Sequence, residues 1–162
     1  MVLKIIKKLS NIDEILASIF LAIVLILTFM NVVLRYAFGF IINWGEEVAI
    51  ISFIWCVYIG MSVCYRYDRH IAIDVVFNLF PKRVQKVIDI CIDVLVLIVN
   101  VTIAYLGIVL SMNVGSKVSF ILRIPYYFID GSIVVGFVLM SFYGVNKIIA
   151  KFKKVDETEN LM

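Results

Sequence analysis

Few side chains in this sequence have the type and spacing that chemistry would need. Asp89 and Asp93 lie four residues apart in an apolar stretch, so a helix would place both carboxylates on one face. Such a pair could relay protons or sodium ions. It could instead reach interfacial water or pair with the neighbouring basic residues, which are Lys82, Arg83 and Lys86. We favour this structural interpretation, because an isolated carboxylate pair at the edge of an apolar segment is weak evidence for a relay.

Other reactive residues do not form a recognisable site. His70 is the only histidine, whereas a haem anchor needs two axial ligands and a zinc site needs several more. The three cysteines, Cys56, Cys64 and Cys91, form no CxxC pair and lie in apolar stretches, which is typical of small buried side chains. There is no Ser/His/Asp set and no phosphate-binding glycine loop. The sequence therefore predicts no enzyme, no cofactor and no metal.

The composition indicates the elements that hold these residues. The chain has 162 residues, of which 64% are hydrophobic, and a mean hydropathy of +1.07. Soluble domains are about 45–50% apolar, so the excess must face lipid or a partner. The net charge of +3 is small, and basic surfaces with interleaved aromatics are absent, which argues against nucleic acid as a partner. We predict an all-α integral membrane protein.

Four apolar segments are long enough to span a bilayer, which needs about 20 residues. The first follows three lysines but lacks a cleavage site, so it is expected to be a retained signal anchor. Residues 1–150 should form a single membrane domain, and residues 151–162 a charged cytoplasmic tail. The expected helices cover residues 12–36, 46–66, 84–112 and 125–148.

Basic residues are unevenly distributed between the two sides of the predicted helices. Twelve of the fifteen Lys and Arg residues lie before the first helix, between the second and third, or after the fourth. The positive-inside rule therefore places both termini in the cytoplasm.

Segment 70–80 is too short to span the membrane. Its polar residues, His70, Asp74 and Asn78, recur every four positions, which gives a helix one narrow polar stripe. We predict a short amphipathic helix that lies in the membrane interface or against another protein, and that ends at Pro81.

Two smaller patterns concern helix contacts. Arg35 follows the first helix and the pair Glu46 and Glu47 begins the second, so an ion pair could clamp these ends, with Trp44 as an interfacial anchor. In the fourth helix, Ser132 and Gly136 form a small-xxx-small pair that permits close helix packing.

Residues 31–81 contain an ordered set of motifs: Asn31-x-x-x-Arg35-Tyr36-x-Phe38, Trp44-x-Glu46-Glu47, Phe53-x-Trp55 with Gly60, and Arg69-His70-Ile71-x-Ile73-Asp74 with Pro81. This set resembles a known family, the small DctQ-like membrane subunits of tripartite ATP-independent periplasmic (TRAP) transporters. The predicted topology extends the resemblance over most of the chain.

The resemblance implies a scaffold subunit of a sodium-coupled importer of an organic acid, such as a dicarboxylate or sialic acid, in the bacterial inner membrane. It implies two protein partners, a large permease subunit that holds the ion and substrate sites and a periplasmic binding protein, besides membrane lipids. The chain would be a separate polypeptide, although some relatives are fused to the large subunit. The candidates for assembly or docking are Arg35, Trp44, Glu46, Glu47, Arg69, His70 and Asp74.

Three other functions stay open. A small autonomous four-helix exporter would place a carboxylate inside its first helix, and residues 15–34 contain none. An anchor subunit of a quinone-linked enzyme would need paired His or Cys residues. A structural subunit of another membrane complex is the alternative that the sequence excludes least well.

Overall fold

The computed structural model describes residues 2–67, 82–115 and 117–159. The predicted interfacial segment 70–80, with the candidates Arg69, His70 and Asp74, lies outside the described residues.

Four long helices make up the described chain: α1 (Val2–Phe38), α2 (Asn43–Arg66), α3 (Lys82–Asn113) and α4 (Tyr126–Glu159). Each contains an apolar span of 24 to 27 residues, namely Ile12–Phe38, Asn43–Arg66, Ile90–Asn113 and Tyr126–Lys151. At 1.5 Å per residue, even the shorter spans reach about 36 Å, which exceeds the hydrocarbon thickness of about 30 Å. The prediction of an all-α protein with four membrane-spanning helices is confirmed.

Two helices extend by about ten residues beyond their expected bounds, and the other two by three residues at most. The first begins at Val2 rather than near residue 12, and α4 continues to Glu159, into the segment expected to be a tail. Neither residues 2–38 nor residues 145–159 contain glycine or proline, so no residue interrupts the helical hydrogen bonds. Glycines mark other helix ends: Gly39 follows α1 with φ +67°, and Gly115 follows α3 with φ +62°. This left-handed conformation favours glycine and is common just beyond a helix C-terminus.

The helices pack in the order α1, α2, α4, α3, and α1 and α3 lie at the two edges of this row. Large apolar side chains on the edge helices remain uncovered, for example Phe29 on α1, which is 71% exposed, and Leu95 on α3, which is 63% exposed. The apolar faces of the edge helices are therefore exposed and can contact lipid or a partner protein.

Close packing occurs where α2 meets its neighbours. The Trp55 ring of α2 lies 5.9 Å from the Phe20 ring of α1 and 5.3 Å from the Phe128 ring of α4. Gly136 of α4 lies against the backbone of Tyr58, so closely that a Cβ atom there would be 2.8 Å from the Tyr58 carbonyl oxygen. Ser132, one turn earlier on α4, is fully buried. The predicted small-residue contact is confirmed, and it joins α4 to α2.

Candidate assembly and docking sites

The polar contacts described below lie at the two ends of the bundle along the helix axes, here called the hairpin end and the terminal end. The hairpin end comprises the connections 39–42 and 114–125. The terminal end comprises the N-terminal parts of α1 and α3 and the C-terminal parts of α2 and α4. α1 packs antiparallel on α2, and α3 packs antiparallel on α4, whereas α2 and α4 run parallel, and this arrangement brings these sets together.

At the hairpin end, Asn31 fixes the connection between α1 and α2. Its Nδ2 donates a hydrogen bond to the Ile42 carbonyl oxygen at 3.2 Å, and its Oδ1 accepts one from the Ile42 amide at 3.0 Å. Ile42 is the residue before α2, and no side chain caps that helix. The Ile42 carbonyl oxygen also accepts a 3.1 Å hydrogen bond from the Gly45 amide, whereas the Ile42 amide has no partner within the helix. Asn31 therefore satisfies a backbone donor that the helix itself leaves open.

Glu47 joins the same end of α2 to the connection before α4. Its Oε2 accepts a 2.7 Å hydrogen bond from the Leu122 amide. That connection is itself a tight loop, closed by a 2.9 Å hydrogen bond from the Ser119 amide to the Ile124 carbonyl oxygen. Arg123 adopts φ +51°, a conformation that non-glycine residues adopt infrequently. The loop is thus held in one shape by a carboxylate from a neighbouring helix.

Exposed aromatic residues surround these contacts. Phe120 at the loop tip is 96% exposed, and Trp44 at the start of α2 is 51% exposed. Aromatic side chains are common at membrane–water interfaces and in protein interfaces. Both residues therefore belong to a surface suited to lipid headgroups or to a docking protein.

The predicted ion pair between Arg35 and the glutamates is not formed. Within the ranges that the structure covers, no salt bridge joins Arg35 to Glu46 or to Glu47. Glu47 faces the loop before α4, and Arg35 and Glu46 instead line a cleft of about 380 Å³ between α1 and α2.

The terminal end holds a network that the sequence analysis did not identify. Asp13 of α1 is 4% exposed and accepts a hydrogen bond from the Tyr143 hydroxyl of α4. Glu14 forms an ion pair with Arg66 of α2 and accepts a hydrogen bond from the Tyr67 hydroxyl. The network therefore connects α1 to both of the inner helices of the row.

Arg66 has further contacts within this network. The centre of its guanidinium lies 4.7 Å from the centroid of the Tyr67 ring and 5.7 Å from that of the Tyr143 ring. These distances are typical of cation–π contacts. The arrangement neutralises a charge near the end of an apolar helix, where an unpaired charge would be costly.

Asp93 provides the corresponding link between α3 and α4. It is buried and forms ion pairs with Lys147, at 3.1 Å, and with Lys151. The sequence analysis expected Asp93 to reach interfacial water or to pair with basic residues near the start of α3. The side chains of those basic residues lie outside the described residues. Its partners on α4 show that the carboxylate holds two helix ends together.

The missed contacts had a signal in the sequence. Asp13, Glu14 and Asp93 lie on the side to which the basic residues were assigned, at the ends of neighbouring antiparallel helices. Matching each carboxylate with the basic residues of the adjacent helix end would have suggested the pairs, although not which partner each one takes.

Comparisons with known proteins match one family of transport components. The sequence model of the family "Tripartite ATP-independent periplasmic transporters, DctQ component" matches residues 24–154. A C4-dicarboxylate TRAP transporter small permease protein DctQ from Vibrio cholerae is 36% identical over 77 residues, which are 48% of this chain and 33% of the relative. A TRAP transporter small permease protein from Haemophilus influenzae is 35% identical over 85 residues, which are 52% of this chain and 53% of the relative. The sialic acid TRAP transporter permease protein SiaT from Haemophilus influenzae is 29% identical over 103 residues, which are 63% of this chain and 17% of the relative. The chain thus spans only part of the length of the relatives it matches.

Proposed function

This chain belongs to the DctQ component family of the tripartite ATP-independent periplasmic transporters, and from that membership we propose that it is the scaffold subunit of a sodium-coupled importer. Proteins of this family are transport components rather than enzymes. The four apolar helices of this chain make it a multi-pass protein of the bacterial inner membrane. The proposed substrate is an organic acid, because the similar proteins are named for C4-dicarboxylates and for sialic acid.

The main structural observation in support of this proposal is that the four helices form an open row. Internal contacts at both ends hold the row in one shape, whereas its edge helices leave large apolar side chains uncovered. A large multispanning permease subunit would bury part of these faces by close packing. The chain would then serve as a fixed support beside a partner that moves and that carries the ion and substrate sites.

The hairpin end is the proposed docking region for a periplasmic binding protein, since the charge distribution predicts that this end faces the periplasm. Arg35, Trp44, Glu46 and Glu47 lie there, with the preformed loop that Glu47 holds. Arg69, His70 and Asp74 are proposed for assembly with the large subunit at the cytoplasmic side. Their placement lies outside the described residues, so this part rests on the sequence pattern.

Reconstitution tests the proposal. The chain, the large permease subunit and the binding protein should together drive sodium-dependent uptake of a dicarboxylate or of sialic acid into liposomes. Omitting this chain should abolish uptake, and the two membrane subunits should purify as one complex in mild detergent. Flux through liposomes that contain this chain alone would support an autonomous transporter instead. Purification with an unrelated membrane complex would support a structural role elsewhere.

A further inference from the structure

We propose that the cleft between α1 and α2 binds one phospholipid of the leaflet at the hairpin end, with a zwitterionic headgroup that carries a primary ammonium. The cleft encloses about 380 Å³ and is lined mainly by apolar side chains below a charged mouth. The proposal depends on the membrane placement of the chain and does not require that it take part in transport.

The length of the cleft fits one leaflet of a bilayer. Along α1 the lining residues extend from Val24 to Arg35, a rise of about 16 Å. Half of the hydrocarbon core measures about 15 Å. Along α2 the lining extends from Gly45 to Phe53, about 12 Å. A groove for a partner's transmembrane helix should continue through both leaflets, whereas this cleft ends near the middle of the membrane, as an acyl chain would.

The charges at the mouth fit a zwitterionic headgroup. Arg35 in the last turn of α1 and Glu46 in the first turn of α2 line the same cleft. They do not pair with each other, and neither forms a salt bridge within residues 2–67, 82–115 and 117–159. A guanidinium can bind the lipid phosphate through two parallel hydrogen bonds, and a carboxylate can accept hydrogen bonds from a primary ammonium. An anionic headgroup without the ammonium would leave Glu46 unfavourably close to negative charge.

The walls of the cleft are fixed in position and largely apolar, which suits a lipid acyl chain. Asn31 lines the cleft, but its amide is used in two hydrogen bonds to Ile42, so it fixes the wall. Below it, Leu27, Ala49 and Phe53 offer an apolar surface against which methylene groups can pack. Since Ala49 is small, a larger side chain there would fill the space that the acyl chain needs.

Native mass spectrometry of the full chain in mild detergent tests the proposal, with phosphatidylethanolamine, phosphatidylglycerol and phosphatidylcholine as probes. We expect the unmodified chain to bind phosphatidylethanolamine most tightly. Arg35→Gln and Glu46→Gln should each weaken that binding about three- to tenfold, because partly exposed charge contacts have modest strength. Ala49→Leu should weaken the binding of all three lipids. Lys117→Gln, which removes a cation of the hairpin end outside the cleft, is the matched control and should leave binding unchanged.

Two results with the charge variants would overturn the proposal. One is equal binding of the three lipids together with unchanged affinity in Arg35→Gln and Glu46→Gln. The other is binding that Lys117→Gln lowers as much as Arg35→Gln does, which would indicate attraction by net charge alone. Thermal unfolding of each variant, measured without added lipid, separates lost binding from lost folding. If Arg35→Gln unfolds, Ala49→Leu still tests whether the cleft holds the acyl chain, and unchanged lipid binding by folded Ala49→Leu would also overturn the proposal.

Discussion

Replacing Gly136 with alanine tests how closely α4 packs on α2. The new Cβ atom would lie 2.8 Å from the carbonyl oxygen of Tyr58 and 2.9 Å from its Cβ atom. Ordinary contacts begin near 3.4 Å, so the helices would have to separate by about 0.6 Å. The obstructing atoms belong to the backbone and to Cβ of Tyr58, so no change of rotamer can relieve the clash.

The expected cost follows from the difference between two alanine variants. Overpacking a close contact costs about 1–3 kcal/mol. Alanine also favours the helix by about 1 kcal/mol over glycine, which would partly hide that cost in Gly136→Ala alone. Gly131→Ala on the same helix is the matched control, because among the described residues no atom beyond its own stretch of helix lies within 4 Å of the new Cβ position. Since both variants share the helix preference, Gly136→Ala should be less stable than Gly131→Ala by about 1–3 kcal/mol.

Reversible unfolding in mixed micelles, followed by circular dichroism, measures this difference in the free energy of unfolding. Gly131→Ala should equal or exceed the unmodified chain in stability, and Gly136→Ala should fall below it or match it at most. If the two variants agree within about 0.5 kcal/mol, the contact between α2 and α4 is looser than the structure shows, and the close packing at Tyr58 is wrong.

Two further predictions concern the hairpin end and the topology. Glu47→Gln should increase the rate of hydrogen exchange at the Leu122 amide several-fold, because a neutral acceptor binds that amide more weakly than a carboxylate does. Glu46→Gln is the control and should leave the exchange rate of Leu122 unchanged. Equal protection of the Leu122 amide in both variants would contradict the contact. Cysteines that replace Lys117 and Lys153 should be labelled from opposite sides of the membrane by an impermeant thiol reagent; labelling of both from one side would contradict the predicted orientation.

The sequence predicted the helices and one of their contacts because these depend on local properties. A run of apolar residues without breakers must form a helix in lipid, where its backbone groups have no other partners. The contact at Gly136 was also predictable, since small residues four positions apart allow helices to approach. Which neighbour they contact was not predictable, because the order of the helices in the row depends on the shapes of all four.

The polar contacts were harder to predict, because each charged side chain has several possible partners. Arg35 and Glu47 are close in sequence and opposite in charge, yet Glu47 binds the Leu122 amide, 75 residues further along the chain. Asp93 likewise takes partners from α4, 54 and 58 residues away. Loop geometry and helix order decide such pairings, and a single sequence reports neither directly.

The placement of polar and small residues bears on the proposed role of this chain as a support for a membrane partner. The ion pairs among the described residues lie at the terminal end, between neighbouring helices, and the close contact at Gly136 lies near the middle of the apolar span of α4. These contacts are internal, so they keep the row in shape without contributing charges to its apolar faces. Association of helices in lipid depends mainly on the fit of their surfaces, because apolar side chains gain little by leaving one apolar solvent for another. A fixed shape would therefore suit the proposed role of a support, and loosening the internal contacts should weaken the proposed complex even where the exposed faces are unchanged.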